Sequence, residues 1–199
     1  CSRDWSSDVC SSVLVLEASR AENLAMIAES VAYIAERGRE MVYDAEHFFD
    51  GYEADRTYAL DTLRAARDAG ASTLVLCDTN GGTLTGRMTE IVVDAKAALA
   101  SDPAAREIVW GIHTHNDAEL AVANALAAVD AGVRHVQATI NGYGERAGNA
   151  NMISLLANLA LKTRHRVAGA DRLADLSHLA HEVAEIANLA PDDHQPYVG

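Results

Sequence analysis

Two hydrophobic rhythms alternate along this chain from residue 19 onward. One returns every three to four positions, as on one face of a helix, and the other is an unbroken apolar run of strand length. Ser19 and Glu22 are spaced as a capping box. Leu24, Ile27, Val31 and Ile34 then share one helical face, and Gly38 stops the segment. A short strand is expected near 41–45. A helix over 55–69 turns Tyr58, Leu63 and Ala66 inward and ends at Gly70. Thr73-Leu74-Val75-Leu76-Cys77 is uninterrupted, which is how strands of a parallel sheet read when both faces are buried. A helix near 86–101 precedes Pro103, and a strand is expected over 107–112. A helix over 117–131 closes at Gly132, a strand spans 135–140, and helices follow near 149–163 and 171–189. The tail from 191 to 199 reads as extended.

Strands that begin near 41, 73, 107 and 134 repeat about every thirty residues, the length of a βα unit. Such units build either a barrel or an open doubly wound sheet. Polar residues decide between them. Asp44-Ala45-Glu46-His47, Asp78-Thr79-Asn80, His113 with His115, and Asn141 each stand at the C-terminal end of a strand. Reactive groups at every strand end point to a (β/α)8 barrel, whereas an open sheet gathers them at one switch point. The expected fold is therefore α/β, a partial TIM barrel, since four units are half of the eight that close one.

The chain has 199 residues, 49% hydrophobic and only 5% aromatic, which suits Ala-rich helices around a Val/Ile/Leu sheet. A net charge of −13 argues against nucleic acid or an anionic membrane as partner. No apolar run reaches spanning length, so a cytoplasmic protein is expected. Cys77 reads as a buried thiol, and with Cys1 and Cys10 it makes no disulfide or zinc pattern. Residues 1–12 are rich in Ser, Asp and Cys, lack either rhythm, and resemble a translated sequencing adapter. They are read as a non-native leader. Residues 13–166 are read as the barrel half, and 167–199 as the helical start of a post-barrel linker.

Gly111-Ile112-His113-Thr114-His115-Asn116-Asp117 carries the clearest chemistry. Residues i and i+2 of a strand point to one face, so both imidazoles aim at one place. Asn149, beyond the next strand, would add an amide oxygen. Imidazole, carboxylate and amide oxygen together suit Mg, Mn or Zn with open positions. The alternative, that His115 only caps the next helix, is better served by Asn116 or Asp117. Gly142, Gly144 and Gly148 are spaced G-x-G-x-x-x-G, which is no dinucleotide fingerprint. They make a tight loop that lets backbone approach a ligand. Glu145 and Arg146 are either a loop salt bridge or a clamp for a substrate carboxylate. Glu46, at the mouth of a barrel, is a candidate acid/base. Phe48-Phe49-Asp50-Gly51 is read as a packed turn, and His135, His165, His178, His181 and His194 as surface or core residues.

The segments 44–52, 76–83, 113–117, 139–146 and 188–191 closely resemble the citramalate synthase branch of the isopropylmalate/homocitrate synthase family, in order, from residue 17 to 199. The resemblance implies a metal-dependent (β/α)8 barrel, of which this chain would be about strands five to eight, that condenses the methyl of acetyl-CoA with the keto carbon of a 2-oxo acid, pyruvate in this branch, toward isoleucine. It implies that His113 and His115 ligate the metal and that Asn149 is a ligand or near-ligand. It places Glu46 near the acetyl group and Thr79 near the substrate carboxylate. A homodimeric parent is expected. The family's remaining ligand, an aspartate beside an arginine on the first barrel strand, and a histidine from beyond the barrel are expected outside this chain, so this piece alone is expected to be inactive. The rivals are an isopropylmalate or homocitrate synthase, a lyase or aldolase on the same barrel, and a non-catalytic βα-repeat module.

Overall fold

The computed structural model describes residues 18–101 and 107–199. The leader expected over residues 1–12 lies outside them. Four strands, β1 (Val42–Ala45), β2 (Thr73–Asp78), β3 (Val109–Thr114) and β4 (His135–Gln137), form one sheet in sequential order. Every neighbouring pair is parallel. The helices between them are α1 (Arg20–Ala35), α2 (Phe48–Ala54), α3 (Arg56–Ala69), α4 (Thr85–Ala100), α5 (Ala121–Asp130), α6 (Met152–Lys162) and α7 (Leu176–Ile186). Short 3-10 turns cover Ile140–Gly142 and Ala170–Asp175.

Side chains of alternate residues go to opposite faces of the sheet. Ala45, Leu74, Leu76 and Ile112 enter the main core with Leu60 and Leu63 of α3, Met88 and Ile91 of α4, and Ala121, Ala125 and Ala128 of α5. The small residues of α5 let it lie close against β3. The other face carries the row Cys77, His113 and Gln137, whose backbones are in register. Glu46 follows one residue beyond the last β1–β2 pair. Gln137 on β4 donates from Nε2 to Asp44 Oδ1 on β1 at 2.9 Å. In a flat sheet, strands three places apart lie roughly 14 Å apart. The contact requires the sheet to curl with this polar face inward. That curvature, the parallel order and the outer helices make the molecule part of a TIM barrel.

Several boundaries differ from the sequence expectation. Phe48–Ala54 is a helix rather than a turn, burying Phe48, Phe49 and Tyr52. β4 stops at Gln137 instead of 140, because the chain bends into the 3-10 turn and Thr139 bridges to Asn151. α5 starts at Ala121 rather than 117, since residues 116–120 form the loop that reaches the site. The helix expected over 171–189 is a 3-10 turn followed by α7, and the tail folds in turns, with Val198 buried against Ile153, Leu176 and Ala180. No helix among the described residues is long and apolar enough to cross a membrane.

Candidate functional site

The strand ends bring their polar groups to one rim. His113 lies within β3 and His115 one residue past it. Their Nε2 atoms are 3.1 Å apart, and the ring planes are inclined at 52°. Two nitrogens on one divalent ion, at bonds of about 2.0–2.1 Å and angles of about 90–109°, stand roughly 2.8–3.4 Å apart. The pair thus has the bite of a chelate. Burial, then the neighbouring His113 and the Arg146 charge, hold His115 below the ordinary imidazole pKa, keeping it neutral as ligation requires. Its Nδ1 is buried without a partner.

Asn149 is drawn to the same place by an antiparallel backbone bridge to His115. Its Oδ1 is buried and accepts no hydrogen bond. Such an atom costs about 1–3 kcal/mol unless something binds it. The glycines make this possible. A Cβ on Gly144 would stand 2.8 Å from Asn149 Oδ1, and one on Gly148, at φ +93°, only 2.1 Å from the Gly142 carbonyl. Any side chain there would push the loop off the histidines. The donor set therefore fits a divalent metal, two imidazoles and an amide oxygen. Among the described residues no third His, Cys, Asp or Glu joins them.

A second constellation lies beside the first. The Thr79 hydroxyl donates to Glu46 Oε2 at 2.8 Å and accepts from the His47 backbone N–H at 2.8 Å. His47 itself adopts φ 55°, which turns the chain into α2. Glu46 is exposed on the open rim, with one oxygen tied and the other free to accept a proton.

Arg146 fastens the loops to one another. Its guanidinium forks onto Asp117 at 2.8 and 2.9 Å and donates to the Thr79 carbonyl at 2.6 Å. The fork holds the Asp117 carboxyl below the usual carboxylate range. The loops after β2, β3 and β4 are thus tied at one side chain. Glu145 lies outside this clasp, 82% exposed and 3.6 Å from Arg146. Of the sequence candidates, then, His113 and His115 meet at their Nε2 atoms, Asn149 is bridged to His115 through the backbone, Glu46 meets Thr79, Arg146 braces the loops, and Glu145 is exposed beside Arg146.

Three roles escaped sequence reasoning. Gln137 accepts from His113 Nδ1 at 2.9 Å. Asp78 is fully buried, with burial raising its pKa, one oxygen bonded to the Thr83 hydroxyl and the other unpaired. Asn141, expected as a reactive strand end, instead binds the Ala180 carbonyl and Gln195, holding the C-terminal segment on the β4 loop. Asp78 and Asn141 were marked in the sequence as polar strand ends, but the partners of all three depend on register and loop packing, which the sequence does not state.

The model of the family described as HMGL-like matches residues 7–183. Relatives named (R)-citramalate synthase from five organisms are 43–52% identical. The one from Synechocystis is 52% identical over 92% of this chain and 34% of its own. A 2-isopropylmalate synthase of Stenotrophomonas maltophilia is 39% identical over 69% of this chain and 26% of its own. The chain thus spans about a third of the length of these relatives. Among solved structures, hydroxymethylglutaryl-CoA lyase of Pseudomonas aeruginosa superposes with a TM-score of 0.72 at 15% identity, covering 96% of this chain and 63% of that one, which speaks for the fold alone.

Proposed function

This chain belongs to the HMGL-like family, and from that premise we infer that it is part of the catalytic barrel of a condensing acyltransferase of the citramalate synthase type, using acetyl-CoA and pyruvate. The observation that carries the reading is the 3.1 Å approach of the His113 and His115 Nε2 atoms on the inner rim. The higher identity to relatives named citramalate synthase, compared with isopropylmalate synthase, favours pyruvate over larger oxo acids.

His113, His115 and the Asn149 amide oxygen would hold a divalent metal, Mg, Mn or Zn, which when bound supplies a Lewis acid for the carboxylate and keto oxygens of the oxo acid. A fourth ligand, a carboxylate, would come from elsewhere in the barrel. Glu46 would hold the proton that leaves the acetyl methyl as the new carbon–carbon bond forms to the keto carbon, with Thr79 keeping its carboxylate aimed. The keto oxygen ends as a hydroxyl, and water cleaves the thioester to free CoA. Arg146, engaged by Asp117, would keep the loops in register around the substrate rather than bind it.

The test uses the full-length protein that carries this chain. Free CoA is followed with a thiol reagent, offering pyruvate, 2-oxoisovalerate and 2-oxoglutarate in turn. Release with pyruvate is expected, lost on metal removal and nearly lost in His113→Ala. Glu46→Gln should lower kcat more than it raises KM. Preference for 2-oxoisovalerate would move the substrate assignment to isopropylmalate synthesis. No release with any oxo acid, in metal-loaded protein, would reject the condensing reaction.

A further inference from the structure

Gln137 is the last residue of β4, in register with His113, and its two amide ends are both engaged. Nε2 donates to Asp44 Oδ1 at 2.9 Å, and Oε1 stands 2.9 Å from His113 Nδ1. The carboxylate decides the orientation. Asp44 can only accept, so the amide must turn its NH2 toward β1 and its carbonyl toward β3. A carbonyl can only accept, so His113 must carry its proton on Nδ1. Its Nε2 is then a bare lone pair, directed at His115 Nε2. The chain Asp44–Gln137–His113 thus spans the inner face of the sheet from β1 to β4 and ends at the site.

We propose that Gln137 is a positioning residue, which, oriented by Asp44, fixes His113 as the Nδ1–H tautomer and aims its Nε2 lone pair into the site. Ligating histidines generally have such an outer partner, whose loss weakens metal binding about 10–100-fold. Here the acceptor is an amide whose direction is set by a carboxylate two strands beyond β3. His115 has no counterpart, since its Nδ1 is unpaired. The two imidazoles are therefore unequal: His113 is set by its outer partner, and His115, before any ligand arrives, donates from Nε2 to the bare His113 Nε2. The proposal rests on the metal reading above only for what the lone pair binds.

The test is 15N–1H spectroscopy of the histidine rings in the whole chain, with His113 assigned through His113→Asn. In the neutral ring His113 should show the proton on Nδ1. Gln137→Leu should shift it toward the Nε2–H form, and the double variant Asp44→Asn with Gln137→Glu, in which the new amide at 44 donates and the carboxylate still accepts from His113, should restore Nδ1–H. Asp44→Ala, which leaves Gln137 in place but frees it to flip, should give a mixture and serves if the leucine variant fails to fold. Zn²⁺ added alone should shift the His113 Nε2 resonance, with a midpoint about 10–100-fold higher in Gln137→Leu and recovered in the Asp44→Asn, Gln137→Glu double variant. An Nε2–H tautomer in the unsubstituted protein, or an unchanged tautomer in a folded Leu variant, would overturn the proposal. A Gln137-dependent tautomer with no Zn²⁺ response at any concentration would uphold Gln137 and remove the metal reading instead.

Discussion

At the residue scale the site depends on which partner each charged or polar group takes. Arg146 illustrates it. From sequence it was either paired with Glu145 or reserved for a substrate; in the fold it keeps Glu145 as a looser ion pair at 3.6 Å and forks onto Asp117. That pairing carries a pH dependence whose sign is fixed. The Asp117 pKa is lowered in the folded state, first by the Arg146 hydrogen bond. Its contribution is therefore present above the unfolded carboxylate value of about 3.9 and is lost as pH falls through the lower folded value. Both side chains are partly exposed, so the pair is worth about 1 kcal/mol or less. Arg146→Gln should lower the melting temperature by about 2–4 °C or less near pH 7, and the gap should close as pH drops toward 3. A gap constant over that range would mean that Arg146 acts through packing. The histidine pair was readable because period two leaves His113 and His115 one direction. Gln137 and Asp117 were not, because their partners lie on other strands and loops, and a single sequence does not state register.

Elements were readable where local chemistry alone makes them. Ser19 and Glu22 form the capping box that their spacing predicts, with bonds of 2.7 and 3.2 Å. Asp55 caps α3 and Gly70 ends it at φ 119°. The continuous apolar run became β2, buried along its whole length. Errors arose where tertiary contacts overrule propensity. α2 contains Gly51 and spans only Phe48–Ala54, and burial of Phe48, Phe49 and Tyr52 stabilises it more than any helical preference. The start of α5 is delayed because Asp117 is committed to Arg146 and Asn116 accepts from the Ala121 N–H. The β4 loop offers a test at this scale. Gly148→Ala places a methyl 2.1 Å from the Gly142 carbonyl at a positive φ, whereas Gly82→Ala meets nothing within 4 Å. Strain of this kind costs about 1–3 kcal/mol. Gly148→Ala should lower the melting temperature by several degrees and move the His115 ring resonances; Gly82→Ala should do little to either. Equal effects would show that the loop yields to a side chain, and that Asn149 is not held by its tightness.

For the molecule as a whole, the consequence lies in what the curled sheet leaves open. Its convex face is covered by α3, α4 and α5, but its concave face presents Asp44, Glu46, His113 and Gln137 without an opposite wall among the described residues. The outer edges of β1 and β4 pair with no strand there, and an apolar cleft of about 580 Å³ runs beside β4, lined by Val129, Val133, Val136, Leu155 and Leu159. A barrel interior works by surrounding its substrate, excluding water and supplying ligands from several strands at once. Two imidazoles and an amide oxygen give a weak site without a carboxylate, and Glu46 faces open solvent. The 199-residue chain alone should therefore bind Zn²⁺ or Mn²⁺ weakly and release no CoA from acetyl-CoA and pyruvate. Mixing it with separately produced polypeptides that together span the rest of the full-length protein, barrel and post-barrel region alike, should restore turnover, because the open edges and the cleft match what a parallel strand and its helix would cover. The pieces should co-elute on size exclusion, and His113→Ala in this half should abolish the restored activity. Turnover by this chain alone would show that one half of the rim is sufficient. Co-elution without turnover, in metal-loaded protein, would mean that the separate pieces associate without closing the rim around the site.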